Sequence, residues 1–282
     1  MNLFFSIIQI LRPLNIILCF ITVLIATFLL DEIQSPILFY TLIVVCCFAG
    51  ASNILNDVLD IEIDKINKSK RVLPSGRLDI GSALFIMCIL YTIGILASTY
   101  VNPLGRQIAL IIALPILVLY TPLFKRLPLI GNFIVGSMLG MVFLFSGASI
   151  SGSTDKMWIP FFLATSLSTI RELCKDSEDI IGDSSKNIQT FPHKYGLIKT
   201  LWILRIICVS FCVFALIPWI NGYYGTIYLI TLIISVEIPL LYGVFILIDK
   251  KSDQNDYSRF ARALKGITIA GIFVILTSTF SY

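Results

Sequence analysis

The 282-residue chain is 57% hydrophobic and only 13% charged, with a mean hydropathy of +0.92, which excludes an ordinary soluble domain because so few charges cannot cover its surface. Its net charge of +4 comes with no continuous basic face and no motif for reading bases, which excludes nucleic acid as a partner. Lipid is the solvent for most of the chain.

A helix needs ~20 apolar residues to cross a hydrocarbon core of ~30 Å, and such segments recur along the whole sequence. They predict an all-α, polytopic membrane protein of about nine transmembrane helices, near 7–30, 36–56, 79–99, 105–122, 131–150, 157–174, 197–219, 224–248 and 261–281. The first segment carries Arg12 and no small-residue cleavage site, so it reads as a retained helix. With nine spans the two termini are expected on opposite sides.

Of 21 Lys and Arg residues, Arg106 and Lys156 fall in the loops assigned to the outside. Arg12, Lys65, Lys68, Lys70, Arg71, Arg77, Lys125, Arg126, Lys175, Lys186, Lys194, Lys199, Lys250, Lys251 and others gather at or near the other face, which the positive-inside rule makes cytoplasmic. Seven cysteines lie in or beside apolar spans without a CxxC pair and read as packing residues.

A carboxylate inside the bilayer is costly unless hydrated or paired, so the positions of the acids are informative. Nine of the 17 acids fall in two stretches: Asp57, Asp60, Glu62 and Asp64, then Glu172, Asp176, Glu178, Asp179 and Asp183. Each stretch ends an apolar span on the cytoplasmic side. Asp57, Asp60 and Asp64 step by three then four residues, and so do Asp176, Asp179 and Asp183, which at ~100° per residue puts each trio within an arc of about 60°.

Three carboxylates on one helix face repel, so positive charge is expected among them. Mg²⁺ suits these hard oxygen donors and is commonly held by a few carboxylates plus substrate phosphates. Asn56, one turn before Asp60, offers an amide oxygen. Arg171 and Lys175 flank the second trio, where they are expected to meet phosphate oxygens. An ion-coupled transporter is the rival class, but it would spread acids through the bilayer midplane and not cluster them at one face.

The run Asn56-Asp57-Val58-Leu59-Asp60-Ile61-Glu62-Ile63-Asp64, continuing through Asn67 and Arg71 to Leu73-Pro74-Ser75-Gly76, resembles the first aspartate-rich motif of the UbiA superfamily of intramembrane prenyltransferases. The run from Arg171 to Asp183 is similar to that family's second motif, in the version carried by the branch that alkylates a prenylated glycerol phosphate. Arg12-Pro13-Leu14-Asn15 resembles the family's opening, and Tyr120, Lys125, Gly131 and Asn132 its loop between the fourth and fifth helices. The sequence departs from the common pattern at Arg71-Val72-Leu73 and at Ser184-Ser185-Lys186-Asn187.

The resemblance implies one transmembrane domain over residues 1–282, with helices around a central cavity open to lipid. It implies that Asn56, Asp60, Asp64, Asp176, Asp179 and Asp183 hold Mg²⁺ around an isoprenyl diphosphate, with Asp57 on the metal or behind it. Asp60, Asp64, Asp179 and Asp183 are the residues expected to carry catalysis. Arg71, Tyr120, Lys125, Asn132 and Lys175 are expected on the donor, and Arg12, Arg171 and Lys186 on a phosphorylated lipid acceptor. The reaction implied is transfer of a geranylgeranyl group to the free glycerol hydroxyl of geranylgeranylglyceryl phosphate at the cell membrane; prenylation of an aromatic acceptor is the alternative. His193 reads as a solvated loop residue; Glu237 reads equally as a functional intramembrane acid or as a structural hydrogen-bonding group beside Pro239 and is left out of the site; Phe145 is a candidate for lining the tail chamber.

Overall fold

The computed structural model describes residues 3–180, 190–249 and 251–280. It divides into two compact units, Met1–Leu123 with Val142–Met157, and Phe124–Met141 with Trp158–Tyr282.

The first unit begins with α1 (Leu3–Ile10) and α2 (Pro13–Leu29). The expected single span over 7–30 is bent there by 52°. Pro13 offers no N–H to continue the ladder and disfavours helical backbone in the residue before it; Arg12 leaves the helix with a left-handed φ of 53°. Next come α3 (Ile37–Leu59), α4 (Ile61–Asn67) and α5 (Ile80–Ser98), followed by α6 (Pro103–Phe124), whose Ile108–Ala113 and Tyr120–Phe124 turns are widened to π geometry around Pro115 and Pro122. A widened turn makes room for a ring that cannot donate. The later half of α7 (Ile130–Ile150) also belongs here. Asn102 caps it, its Nδ2 donating to the carbonyls of Ser149 at 2.8 Å and Ile150 at 3.0 Å.

Below the 68–78 loop, Val72, Leu73 and Leu78 are buried against Ile10, Ile54 and Ala83. Burial from water contributes about 1.5–3 kcal/mol for each large aliphatic side chain, whereas helix faces turned to lipid gain nothing comparable. The loop is thus held by apolar side chains packed beneath it.

The second unit holds the first half of α7, then α8 (Trp158–Glu178), α9 (Phe191–Tyr195), α10 (Leu197–Ile220), α11 (Thr226–Leu247) and α12 (Gln254–Thr277). α8 packs against α12 and α10. Asp253 starts α12 with a reciprocal cap, accepting from the Asp256 amide at 3.1 Å while Asp256 Oδ2 accepts from the Asp253 amide at 3.2 Å. Arg205 donates to the carbonyls of Val244 at 3.3 Å and Ile248 at 3.4 Å, where α11 ends. Glu237 is buried in a π turn just before Pro239, and its Oε1 finds no hydrogen bond among the described residues. His193 is not in a loop but in α9, half-buried, with Nδ1 lacking a partner among the described residues. Phe145 is buried on α7.

Among the described residues, seven helices are each long and apolar enough to cross a membrane, and the bent α1–α2 pair makes an eighth. The ninth expected span is α8, whose last turns carry Arg171, Glu172, Lys175, Asp176 and Glu178 and are therefore less apolar.

Candidate active site

In the first motif, helix α3 ends at Leu59 and α4 starts at Ile61, so the trio straddles a junction at Asp60. The helical spacing survives it: the amides of Asp60 and Asp64 donate to the carbonyls of Asn56 at 2.9 Å and Asp60 at 2.8 Å. Asp57 and Asp64 are buried. The positive charge expected among the carboxylates is supplied by Arg71, whose Nη1 donates to Asp64 Oδ2 at 2.6 Å and Asp57 Oδ1 at 3.1 Å. Arg12 Nη2 donates to the same Asp57 oxygen. Burial pushes the Asp64 carboxyl above the ordinary carboxylate range, against the pull of Arg71.

Arg71 reaches these acids because the following loop turns tightly. Its carbonyl accepts from Ser75 Oγ at 2.6 Å, and Gly76, at φ 70°, lets its amide meet the Leu73 carbonyl at 3.0 Å; a side chain there would be strained. One turn before Asp57 on α3, Asn53 Nδ2 donates to the Leu11 carbonyl at 3.0 Å. The Asn56 amide oxygen accepts from Thr121 Oγ1. Thr121 has no periodic or spacing signal in the sequence; only the packing of α6 brings it to the motif. Tyr120 precedes it in the same widened turn.

The second unit gathers a different set. Asn132 Nδ2 donates to Asp176 Oδ2 at 2.7 Å, joining two residues expected at the site. Asn132 follows Gly131, where a Cβ would stand 2.7 Å from the Phe124 carbonyl, so only glycine allows this approach. Glu172 accepts from Arg171 Nη1 at 2.8 Å and Lys175 Nζ at 2.6 Å, and thereby orders both expected phosphate-binding cations. Asp179 continues the helical spacing, its amide donating to the Lys175 carbonyl at 3.0 Å. Lys125 lies in the turn between α6 and α7. Asp183 and Lys186 lie outside the described residues.

Among the described residues no three His, Cys, Asp or Glu side chains converge into a self-sufficient metal cage. The donors are nevertheless all hard oxygens, amide and carboxylate, and Mg²⁺ typically draws several of its six ligands from water and substrate phosphate. The residues present fit such an ion.

Many apolar helices and two acid-rich motifs beside basic loops define a multi-pass membrane protein whose polar chemistry is concentrated at helix ends. The family model for the UbiA prenyltransferase family matches residues 16–268. The chain belongs to that family, and is a prenyltransferase. It is 33% identical over 252 residues to the digeranylgeranylglyceryl phosphate synthase of Methanocaldococcus jannaschii, covering 88% of this chain and 86% of that one. A solved structure of a digeranylgeranylglyceryl phosphate synthase is 30% identical, with a TM-score of 0.77 over 99% of both chains. A UbiA homologue from Archaeoglobus fulgidus bound to GPP and Mg²⁺ shares the fold, with a TM-score of 0.69 and 16% identity over 96% of this chain and 99% of that one.

Proposed function

We propose that this prenyltransferase moves a geranylgeranyl group from its diphosphate to the free glycerol hydroxyl of geranylgeranylglyceryl phosphate, making an ether-lipid precursor. The observation that carries the reading is the 33% identity to a synthase of that product over 88% of the chain, together with an intact pair of aspartate motifs.

The proposed Mg²⁺ ligands are Asn56, Asp60 and Asp64 of the first motif and Asp176, Asp179 and Asp183 of the second, with Asp57 behind them holding Arg12 and Arg71. Bound Mg²⁺ supplies Lewis-acid stabilisation of the diphosphate as it leaves. The chain's own cations Arg71, Lys125 and Lys175 offset the charge left on that group, and Tyr120 and Asn132 help to orient it. The allylic C–O bond breaks with its electron pair going to diphosphate. The acceptor oxygen then bonds to C1 of the allylic cation and releases its proton to solvent or diphosphate. Trapping so reactive a cation needs only weak base assistance, so no catalytic histidine is required.

A phosphorylated acceptor needs cations beyond those serving the donor, and Arg12, Arg171 and Lys186 are assigned to it. The deciding experiment offers radiolabelled geranylgeranyl diphosphate with geranylgeranylglyceryl phosphate in competition with hydroxybenzoate, dihydroxynaphthoate and homogentisate. Label is expected in the glyceryl lipid, and preferential labelling of an aromatic acid would overturn the acceptor assignment. The proposed location is the cell membrane with both motifs cytoplasmic. Single cysteines at positions 68, 186 and 252 should then react with an impermeant reagent from the cytoplasmic side and one at 155 from outside; labelling of 68 and 186 from opposite sides would defeat the scheme.

A further inference from the structure

Arg71 is delivered to Asp57 and Asp64 by a loop that has reason to open. Lys68, Lys70, Arg71 and Arg77 place four cations in ten residues, and like charges so close repel. Apolar anchoring by Val72, Leu73 and Leu78 holds the loop from below. What holds it from above is the Arg77 guanidinium. Its Nη2 donates to the Lys70 carbonyl at 2.5 Å, its Nε to Ser75 Oγ at 2.8 Å and its Nη1 to Gln9 Oε1 at 2.7 Å.

These three acceptors mark the start of the loop, its turn and the first helix. Ser75 Oγ in turn donates to the Arg71 carbonyl, so one chain of bonds runs from Gln9 through Arg77 and Ser75 to the backbone of Arg71. The residues that follow α1 are tied to α3 twice more, through Leu11 to Asn53 and Arg12 to Asp57.

We propose that Arg77, steadied by Gln9, is a positioning residue for prenyl transfer: it clips the 70–77 loop closed and so fixes Arg71 against Asp57 and Asp64. Arg77 needs no contact with substrate for this. Only a planar fork of donors reaches three acceptors lying in three directions, so lysine is no substitute. The catalytic arm of the test rests on the functional reading above, whereas the second arm does not.

In the full chain, Arg77→Ala is expected to lower kcat/KM for geranylgeranyl diphosphate about tenfold, mostly through KM, with Arg77→Lys failing to rescue it. In an Arg71→Ala background the same change should add less than about twofold, because both act through one group. An equal loss in both backgrounds would make Arg77 merely structural and overturn the proposal. Gln9→Glu keeps the acceptor and should match the wild type, while Gln9→Ala loses about threefold. Independently of catalysis, trypsin should cleave after Lys70 and Arg71 at least about fivefold faster in Gln9→Ala, which retains every cleavage site, than in the wild type. Equal cleavage rates would also overturn the clip. Were the wild-type chain to transfer no prenyl group to any acceptor, proteolysis would still decide the clip, and the failure would belong to the functional reading.

Discussion

The two aspartate motifs share one spacing yet are braced in opposite ways. In the first, the acids themselves are braced: Asp57 holds both Arg12 and Arg71, and Asp64 holds Arg71. In the second, the cations are braced: Glu172, outside the trio, holds Arg171 and Lys175, while Asp176 receives a neutral amide from Asn132. A guanidinium between two buried carboxylates lowers their mutual repulsion directly. A glutamate holding two cations keeps both in place beside the acids. The first motif therefore stands ready with its charge already compensated, and the second with its charge arranged in pairs beside the acids.

The largest effect should come from what both motifs are proposed to share. Transferase activity is expected to vanish in excess EDTA and return on addition of Mg²⁺, and full activity in the chelator would remove the metal from the mechanism. Next, Asp60→Asn and Asp179→Asn each delete one charged donor at constant size and should lower turnover by about 10²–10⁴-fold with the fold retained. The matched control is Asp253→Asn, for asparagine caps α12 as well as aspartate does. A comparable loss at Asp253 would mean that the trios are solvated charge and no site.

Asp57→Asn tests the bracing itself, since it leaves two arginines facing a neutral amide. It should lower thermal stability by about 1–3 kcal/mol as well as activity, and unchanged thermal unfolding would show that the guanidiniums are indifferent to Asp57. The smallest effects separate two glutamates with i+3 lysines. Glu172, whose side chain is 14% exposed, holds two cations; Glu62, at 57%, meets Lys65 on the surface. Glu172→Gln should cost about tenfold in kcat/KM, Glu62→Gln less than about 0.5 kcal/mol in stability and nothing in activity. Equal responses in steady-state kinetics would erase the distinction drawn between the motifs.

Most of what defines the protein was legible in the chain. The bilayer has one thickness and helices one rise per residue, so most spans can be read from apolar length, and two acid trios at one spacing, each ending such a span, are hard to obtain by chance. The matched three-then-four steps of Asp57, Asp60 and Asp64 and of Asp176, Asp179 and Asp183 follow from helical periodicity and needed no coordinates. The bend at Arg12–Pro13 was written in the proline, although the apolar run through it read as one span.

Tertiary structure alone decided which partner each of these groups takes. That Arg71 bridges Asp57 and Asp64, that Thr121 meets Asn56 across 65 residues and that Asn132 reaches Asp176 across 44 depends on how separate helices pack. Side-chain contacts between distant segments leave no period in a sequence, because each helix satisfies its own backbone whatever lies beside it. Glu172 illustrates the same limit: an i+3 pairing with Lys175 was available from spacing, but its simultaneous hold on Arg171 was settled by rotamers that only the packed helix selects.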